Sequence, residues 1–136
     1  MIDMYKIGYK KIEKFIFTQD DVNTFANISG DKNLLHLDKE YAKQTIFKKP
    51  IIHGFLGSSI FSKLLGTSFY GDGTIYLSQN LKFHKPMYVD VQYTANLEIT
   101  EIDIKKHRAV VETKILDLEN NLITSGEALI QNEKIK

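Results

Sequence analysis

The second half of the chain alternates apolar and polar side chains with a period of two residues. The clearest run has an apolar residue at every second position: Val91, Tyr93, Ala95, Leu97 and Ile99. This period is typical of a strand with one buried face. Similar patterns predict strands at about 75–83, 107–116 and 122–131, and the polar segment 117–121 joins the last two. We therefore predict an antiparallel meander.

The first half of the chain is predicted to form one strand followed by helices. Apolar residues recur within 11–17, and Thr18 and Asp21 then have the spacing of a capping box. A helix should follow that ends at Gly30, and a second short helix should be capped by Asp38. The first helix has an apolar stripe formed by Val22, Phe25, Ala26 and Ile28.

The segment 54–66 is apolar or small on nearly every face, and Lys63 is its only charged residue. A helix with this composition must be enclosed by other structure. Together with the strands, it predicts an α+β domain in which a curved antiparallel β-sheet wraps around a central buried α-helix, a hot-dog arrangement. No linker or composition break interrupts the sequence, so we expect a single domain over residues 1–136.

Composition and charge exclude several classes of partner. Eighteen basic and seventeen acidic residues give a net charge of +1, so we expect neither nucleic acid nor membrane as a partner. The first six residues lack an apolar signal core, and the longest uncharged stretch, 50–62, is too short to span a bilayer. The absence of cysteine excludes disulfides and thiolate metal sites and favours a cytoplasmic location.

One polar cluster lies in the segment 29–36, where Asp31 precedes His36 by five residues. A carboxylate and a neutral imidazole can hold one water between them, one group taking its proton while the other supplies a proton to a substrate. The alternative is that Asp31 and Asn33 form turns by accepting from backbone amides, while His36 is a packed loop residue. Spacing alone favours this alternative.

A second cluster, 50–54, stands immediately before the predicted central helix. Free amides and the positive end of the helix dipole suit an oxyanion or a polarised carbonyl there, and glycine at position 54 allows close approach. A glycine at a helix start is also a common packing device. No two histidines have a short ligand spacing and no carboxylate is near His53 in the sequence, so we expect no metal site.

Taken together, residues 17–38 (FTQDDVNTFANISGDKNLLHLD) resemble the signature of the (R)-specific enoyl-CoA hydratases of the MaoC-like family. The likeness continues through 47–54 and on to 126–128, and so covers nearly the whole chain. It implies a hot-dog fold, a homodimer, and reversible syn addition of water to a trans-2-enoyl-CoA, with no cofactor beyond the thioester. Leu34 stands where the family has proline, which relaxes the loop between Asp31 and His36.

The resemblance also implies roles for individual residues. Asp31 and His36 match the catalytic dyad, and the amide of Gly54 would stabilise negative charge on the thioester oxygen. The residues expected to bind substrate are Asn33, His53, Ser62, Leu65 and Ile130. Of these, the last three would form the floor of the acyl pocket and favour short chains such as crotonyl, although core packing explains a serine and a leucine in a buried helix equally well.

Two other functions suit the same fold. A hot-dog acyl-CoA thioesterase often carries its catalytic acid on the central helix, but no Asp or Glu occurs between Glu40 and Asp72. A non-catalytic acyl-CoA-binding subunit would keep the fold without the chemistry, and the presence of both Asp31 and His36 argues against it. Release of free thiol from acyl-CoA would identify the first, and binding without turnover the second.

Overall fold

The computed structural model describes residues 5–136; Met1 to Met4, which belong to the segment inspected for a signal core, lie outside the described residues. The elements in chain order are β1 (Lys10–Phe15), α1 (Gln19–Ser29), α2 (Leu34–Leu37), α3 (Lys39–Lys43), α4 (Gly54–Thr67), β2 (Ile75–Phe83), β3 (Tyr93–Asp103), β4 (Arg108–Leu116) and β5 (Leu122–Gln131). Within residues 5–136, no helix combines the length and the apolar content needed to cross a bilayer.

The five strands form one antiparallel sheet in the order β1-β3-β4-β5-β2. Three of the four strand pairs contain a register shift, which bends and twists the strands at that point. The predicted meander is confirmed as β3-β4-β5, and β1 and β2 extend it at opposite edges. The predicted α+β hot-dog arrangement is confirmed, because α4 packs its apolar side chains against the inner face of this sheet.

The central helix α4 is enclosed on its inner faces only. Its buried residues are Leu56, Gly57, Ser58, Ile60, Phe61, Leu64 and Leu65. The predicted burial applies to these inner faces, whereas Phe55 is 70% exposed and Ser59 and Ser62 follow it on the same outer face. One five-stranded sheet covers one side of a helix, and the opposite side needs another layer.

The helices before α4 follow the capping signals in the sequence. Thr18 forms the expected capping box with Asp21, and Gly30 ends α1 in the left-handed region at φ 79°. Asp38 caps α3 as predicted, through its side chain and the Tyr41 amide. The predicted apolar stripe of α1 was wrong at Ile28, which is 82% exposed because it lies about 200° around the helix from the buried Ala26.

The pairing of β2 with β5 depends on the absence of a side chain at Gly126. Gly126 pairs with Leu81, and a Cβ built on Gly126 would overlap the backbone oxygen of Asn80. The neighbouring Glu127 amide donates to the Asn80 side chain at 3.1 Å. Any other residue at position 126 must therefore push the two strands apart.

We expect Gly126→Ala to lower the free energy of unfolding by about 1–3 kcal/mol. The new methyl group would overlap a backbone oxygen, which cannot move aside as a side chain can by changing its rotamer. The matched control is Gly66→Ala in α4, where an added Cβ meets nothing within 4 Å. That change should be neutral or raise stability by up to about 1 kcal/mol. Urea unfolding of both variants measures the difference, and equal stabilities would contradict this account of Gly126.

Candidate functional site

Asp31 lies in the short exposed loop between α1 and α2. The backbone amide of Asp31 donates to the Ser29 hydroxyl at 3.1 Å, and its carboxylate accepts from the Asn33 amide at 3.4 Å. Asn33 in turn caps α2 by accepting from the Leu35 amide at 3.0 Å. The turn-forming role of both residues is therefore present, and it leaves the second carboxylate oxygen of Asp31 available.

His36 lies on α2, a short helix that the sequence analysis missed because it spans only four residues. Its ring is nearly buried, and Nδ1 lies 2.8 Å from the backbone oxygen of Ile51. A carbonyl oxygen can only accept, so Nδ1 carries the proton and Nε2 keeps a lone pair. Burial lowers the pKa of His36, and the nearby His53 ring acts in the same direction. The Ile51 carbonyl and the Asp31 carboxylate oppose this shift. His36 is thus a neutral base at neutral pH.

His53 is the N-cap residue of α4 and is 2% exposed. Its Nε2 lies 3.0 Å from the backbone oxygen of Asp31, and its ring stacks on His36 with centroids 3.8 Å apart at 29°. One carboxylate oxygen of Asp31 and one ring nitrogen of each histidine lie within 4.8 Å of one another. The fold therefore brings together three residues that are 5 and 17 positions apart along the chain.

This cluster contains ligand types that bind metals, although no carboxylate lies near His53 along the sequence. Each imidazole, however, already uses one nitrogen on a backbone carbonyl. One nitrogen of each ring therefore remains for another partner. The geometry suits hydrogen bonding to a small molecule better than coordination of an ion, and the lack of a metal stays a prediction.

A cavity of about 380 Å³ opens beside this cluster, and His36 and Gly54 both line it. Most of its wall is apolar, formed by Phe47, Ile51, Ile52, Phe55, Phe83 and Met87. Gly54 is the first residue of α4, so its amide has no acceptor within the helix. A Cβ at position 54 would lie 2.6 Å from the Phe83 ring, so glycine is needed there for packing as well as for access.

The other predicted substrate-binding residues lie apart from this cavity. Leu65 and Ile130 are fully buried in the hydrophobic core, whereas Ser62 is exposed on the outer face of α4. A second cavity of about 390 Å³ lies between that outer face and β2. It is lined by Phe55, Ser58, Ser59, Tyr76, Ser78, Gln79 and Leu81. The sequence carried no signal for it, because its walls come from two elements that are distant along the chain.

Comparison with known proteins agrees with this geometry. A family model described as a MaoC like domain matches residues 7–121. The chain is 39% identical over 126 residues to the (R)-specific enoyl-CoA hydratase of Aeromonas caviae, covering 93% of this chain and 94% of that protein. It is 33% identical over 116 residues to the (R)-specific enoyl-CoA hydratase of Rhodospirillum rubrum, covering 85% and 76%. The solved structure of the (R)-hydratase from A. caviae involved in PHA biosynthesis superposes with a TM-score of 0.91 at 37% identity, covering 96% and 99%.

The burial of His36 predicts a measurable pH dependence. Because its pKa is lowered from 6.5 in the folded chain, the folded state binds fewer protons than the unfolded state just below that pH. The free energy of unfolding should therefore fall as the pH drops through 6.5 towards the pKa of folded His36. NMR titration of the imidazole resonances, assigned with His36→Gln, measures that pKa directly. A value above 6.5 would contradict the assignment of a desolvated neutral ring.

Proposed function

Because the chain belongs to the MaoC-like domain family, we propose that it is an (R)-specific enoyl-CoA hydratase. It adds water across the double bond of a trans-2-enoyl-CoA thioester to give the (R)-3-hydroxyacyl-CoA, and it catalyses the reverse dehydration. One observation carries the proposal: the Asp31 carboxylate lies within 4.8 Å of the neutral His36 imidazole, and His36 and Gly54 line one largely apolar cavity. The similarity to hydratases over more than nine-tenths of the chain supports it.

The positions of Asp31 and His36 suit the activation of one water molecule. In the hydration direction, the free carboxylate oxygen of Asp31 accepts one hydrogen bond from the water, and Nε2 of His36 accepts the proton that leaves as the oxygen bonds to C3. The imidazolium then returns that proton to C2. The hydroxyl group and the hydrogen of a single water thus end on the substrate. Because both protein groups lie on the same side of the substrate, the addition is syn.

Gly54 takes the role of stabilising the negative charge that develops during this addition. Attack at C3 moves electrons through the conjugated system onto the thioester oxygen before C2 is protonated. The amide of Gly54 donates to that oxygen, and the positive end of the α4 dipole adds to the effect. Gly54 and His36 line the same cavity, as a substrate that spans both groups requires.

The acyl chain is proposed to extend along α4 towards Ser62, Leu65 and Ile130. The second cavity supports this course, because the exposed Phe55 and Ser59 and the buried Ser58 line it from α4. Ser62 follows Ser59 on the outer face after about one helical turn. The buried Leu65 and Ile130 would close the end of such a channel, which favours short chains such as crotonyl.

The unpaired edge of β2 supports a homodimer. The opposite edge strand, β1, carries Lys10, Lys11, Glu13 and Lys14, and charged residues of this kind discourage pairing with another chain. In contrast, β2 has a single charged residue, Lys82, and exposes Ile75, Tyr76, Leu77 and Phe83. A second copy placed along β2 would pair this edge and cover the outer face of α4.

Three further assignments accompany this function. Residues 1–136 are proposed to form one MaoC-like domain, supported by a sheet that pairs β1, near the start, with strands from the second half. The acyl-CoA thioester is proposed to be the only small molecule required. The proposed cytoplasmic location is supported by the absence of cysteine in the sequence.

We expect the purified protein to remove the ultraviolet absorbance of crotonyl-CoA and to form (R)-3-hydroxybutyryl-CoA on chiral analysis. Asp31→Asn and His36→Ala should each lower the rate by about two to four orders of magnitude, because each removes one of the two groups that handle the water. Thiol release is followed in parallel. Thiol without hydration, across crotonyl and longer enoyl chains, would indicate a thioesterase, and binding without either reaction would indicate an acyl-CoA-binding subunit.

We expect sedimentation equilibrium to give twice the chain mass of 15.7 kDa. Leu77→Lys on β2 should shift the protein to the monomer, because a buried unpaired charge at the interface is strongly unfavourable. The matched control is Leu118→Lys, which makes the same change at an apolar residue that is exposed in the turn between β4 and β5. A monomeric wild type, or equal behaviour of the two variants, would contradict pairing through β2.

A further inference from the structure

His53 contacts or adjoins the three groups of the proposed site: Asp31, His36 and Gly54. It directly precedes Gly54, its Nε2 contacts the backbone of Asp31, and its ring stacks on His36. It does not line the cavity to which His36 and Gly54 contribute, and its side chain is almost fully buried. His53 therefore lies behind His36 and Gly54 as seen from this cavity, and this position favours an indirect role over the direct substrate contact predicted from the sequence.

The surroundings of His53 select one tautomer of its ring. Because the Asp31 carbonyl can only accept, Nε2 carries the proton and Nδ1 keeps a lone pair. Nδ1 is buried with no hydrogen-bond partner among the described residues, so a second N–H there would have no acceptor. The Phe25 ring packs on His53 with centroids 4.8 Å apart, and His36 and Asp31 are the titratable residues it contacts. These contacts fix the position of the N–H at Nε2.

The loop that carries Asp31 has little other support from distant residues. Within residues 5–136, the amide of Asp31 donates to Ser29 and its carboxylate accepts from Asn33, both within two positions in the chain. The bond from His53 is the one that comes from another element. Leu34 leaves the backbone of this loop less restricted than a proline would, so more of the restraint falls on that bond.

We propose that His53 is a positioning residue that fixes Asp31 and His36 relative to the first amide of α4. This inference rests on the proposed hydratase function. His53 acts through two contacts, since its N–H holds the Asp31 backbone and its ring supports one face of the His36 imidazole. A displacement of about 1 Å between groups that share one water is enough to lower a rate about a hundredfold. His53 touches neither the water nor the substrate.

Three substitutions separate these contacts. His53→Gln places an amide N–H at the position of Nε2, His53→Asn places it at the position of Nδ1, and His53→Phe keeps a ring without a donor. We expect the His53→Gln variant to retain kcat within about threefold of the wild type. The His53→Asn and His53→Phe variants should lower kcat on the order of tenfold to a hundredfold, with KM changed by less than about twofold.

A loss of stability is distinguished from a loss of positioning by Val111→Ala. Val111 is fully buried in β4 and has no role in the proposed site, so this change should lower the melting temperature without lowering kcat. The proposal is overturned if the His53→Asn and His53→Phe variants keep the kcat of the wild type, or if they raise KM while kcat is unchanged. It is also overturned if the His53→Gln variant is as inactive as the His53→Phe variant.

A second measurement is independent of turnover. Imidazole nitrogen shifts should show that Nε2 of His53 carries the hydrogen and that Nδ1 keeps a lone pair. Amide hydrogen exchange at residues 31–33 should accelerate in His53→Asn and His53→Phe but not in His53→Gln. A tautomer protonated at Nδ1, or equal exchange in all variants, overturns the positioning role even if the enzyme is active. If the wild type hydrates no enoyl-CoA, the proposed function fails while these two readouts still decide the role of His53.

Discussion

The site depends on two hydrogen bonds that join buried imidazoles to backbone carbonyls. His36 donates to Ile51 and His53 donates to Asp31, so each ring anchors a segment that belongs to neither its own helix nor the sheet. The stacked contact between the rings then links these segments to each other. Because a carbonyl cannot donate, the two bonds also determine which nitrogen of each ring keeps a lone pair. The same two hydrogen bonds therefore determine both where the imidazoles lie and which tautomer each one adopts.

The sheet and α4 provide the rigid frame for this arrangement. Regular strands cover the inner side of α4, which holds the helix start and its first amide in place. The Asp31 carboxylate instead comes from the short loop between α1 and α2, which His53 joins to the start of α4. Such a division suits a reaction in which the charge-stabilising group must be fixed before the substrate arrives, while the carboxylate must reach a small mobile water.

Much of the fold could be predicted from local sequence patterns. Alternation located β2 to β5, and the capping residues Thr18, Gly30 and Asp38 located the ends of two helices. These features depend on neighbouring residues, which a sequence displays directly. The association of His36 with His53 could not be predicted from spacing, because it arises where the loop after α1 folds onto the start of α4. The exposure of Phe55 was missed for a related reason, since composition does not say how many layers surround a helix. The family resemblance supplied the roles of Asp31 and His36, which spacing alone did not favour.

The contact between Gly54 and Phe83 links two positions that are 29 residues apart. The Phe83 ring occupies the space that a side chain at position 54 would need, and it also forms part of the cavity wall beside the first amide of α4. A change at either position therefore alters what is tolerated at the other. In sequences that share this framework, a larger residue at position 54 should be accompanied by a smaller one at position 83. Positions 54 and 83 therefore determine the shape of the cavity together. A wider entrance requires a smaller residue at position 83 before any side chain can be accepted at position 54.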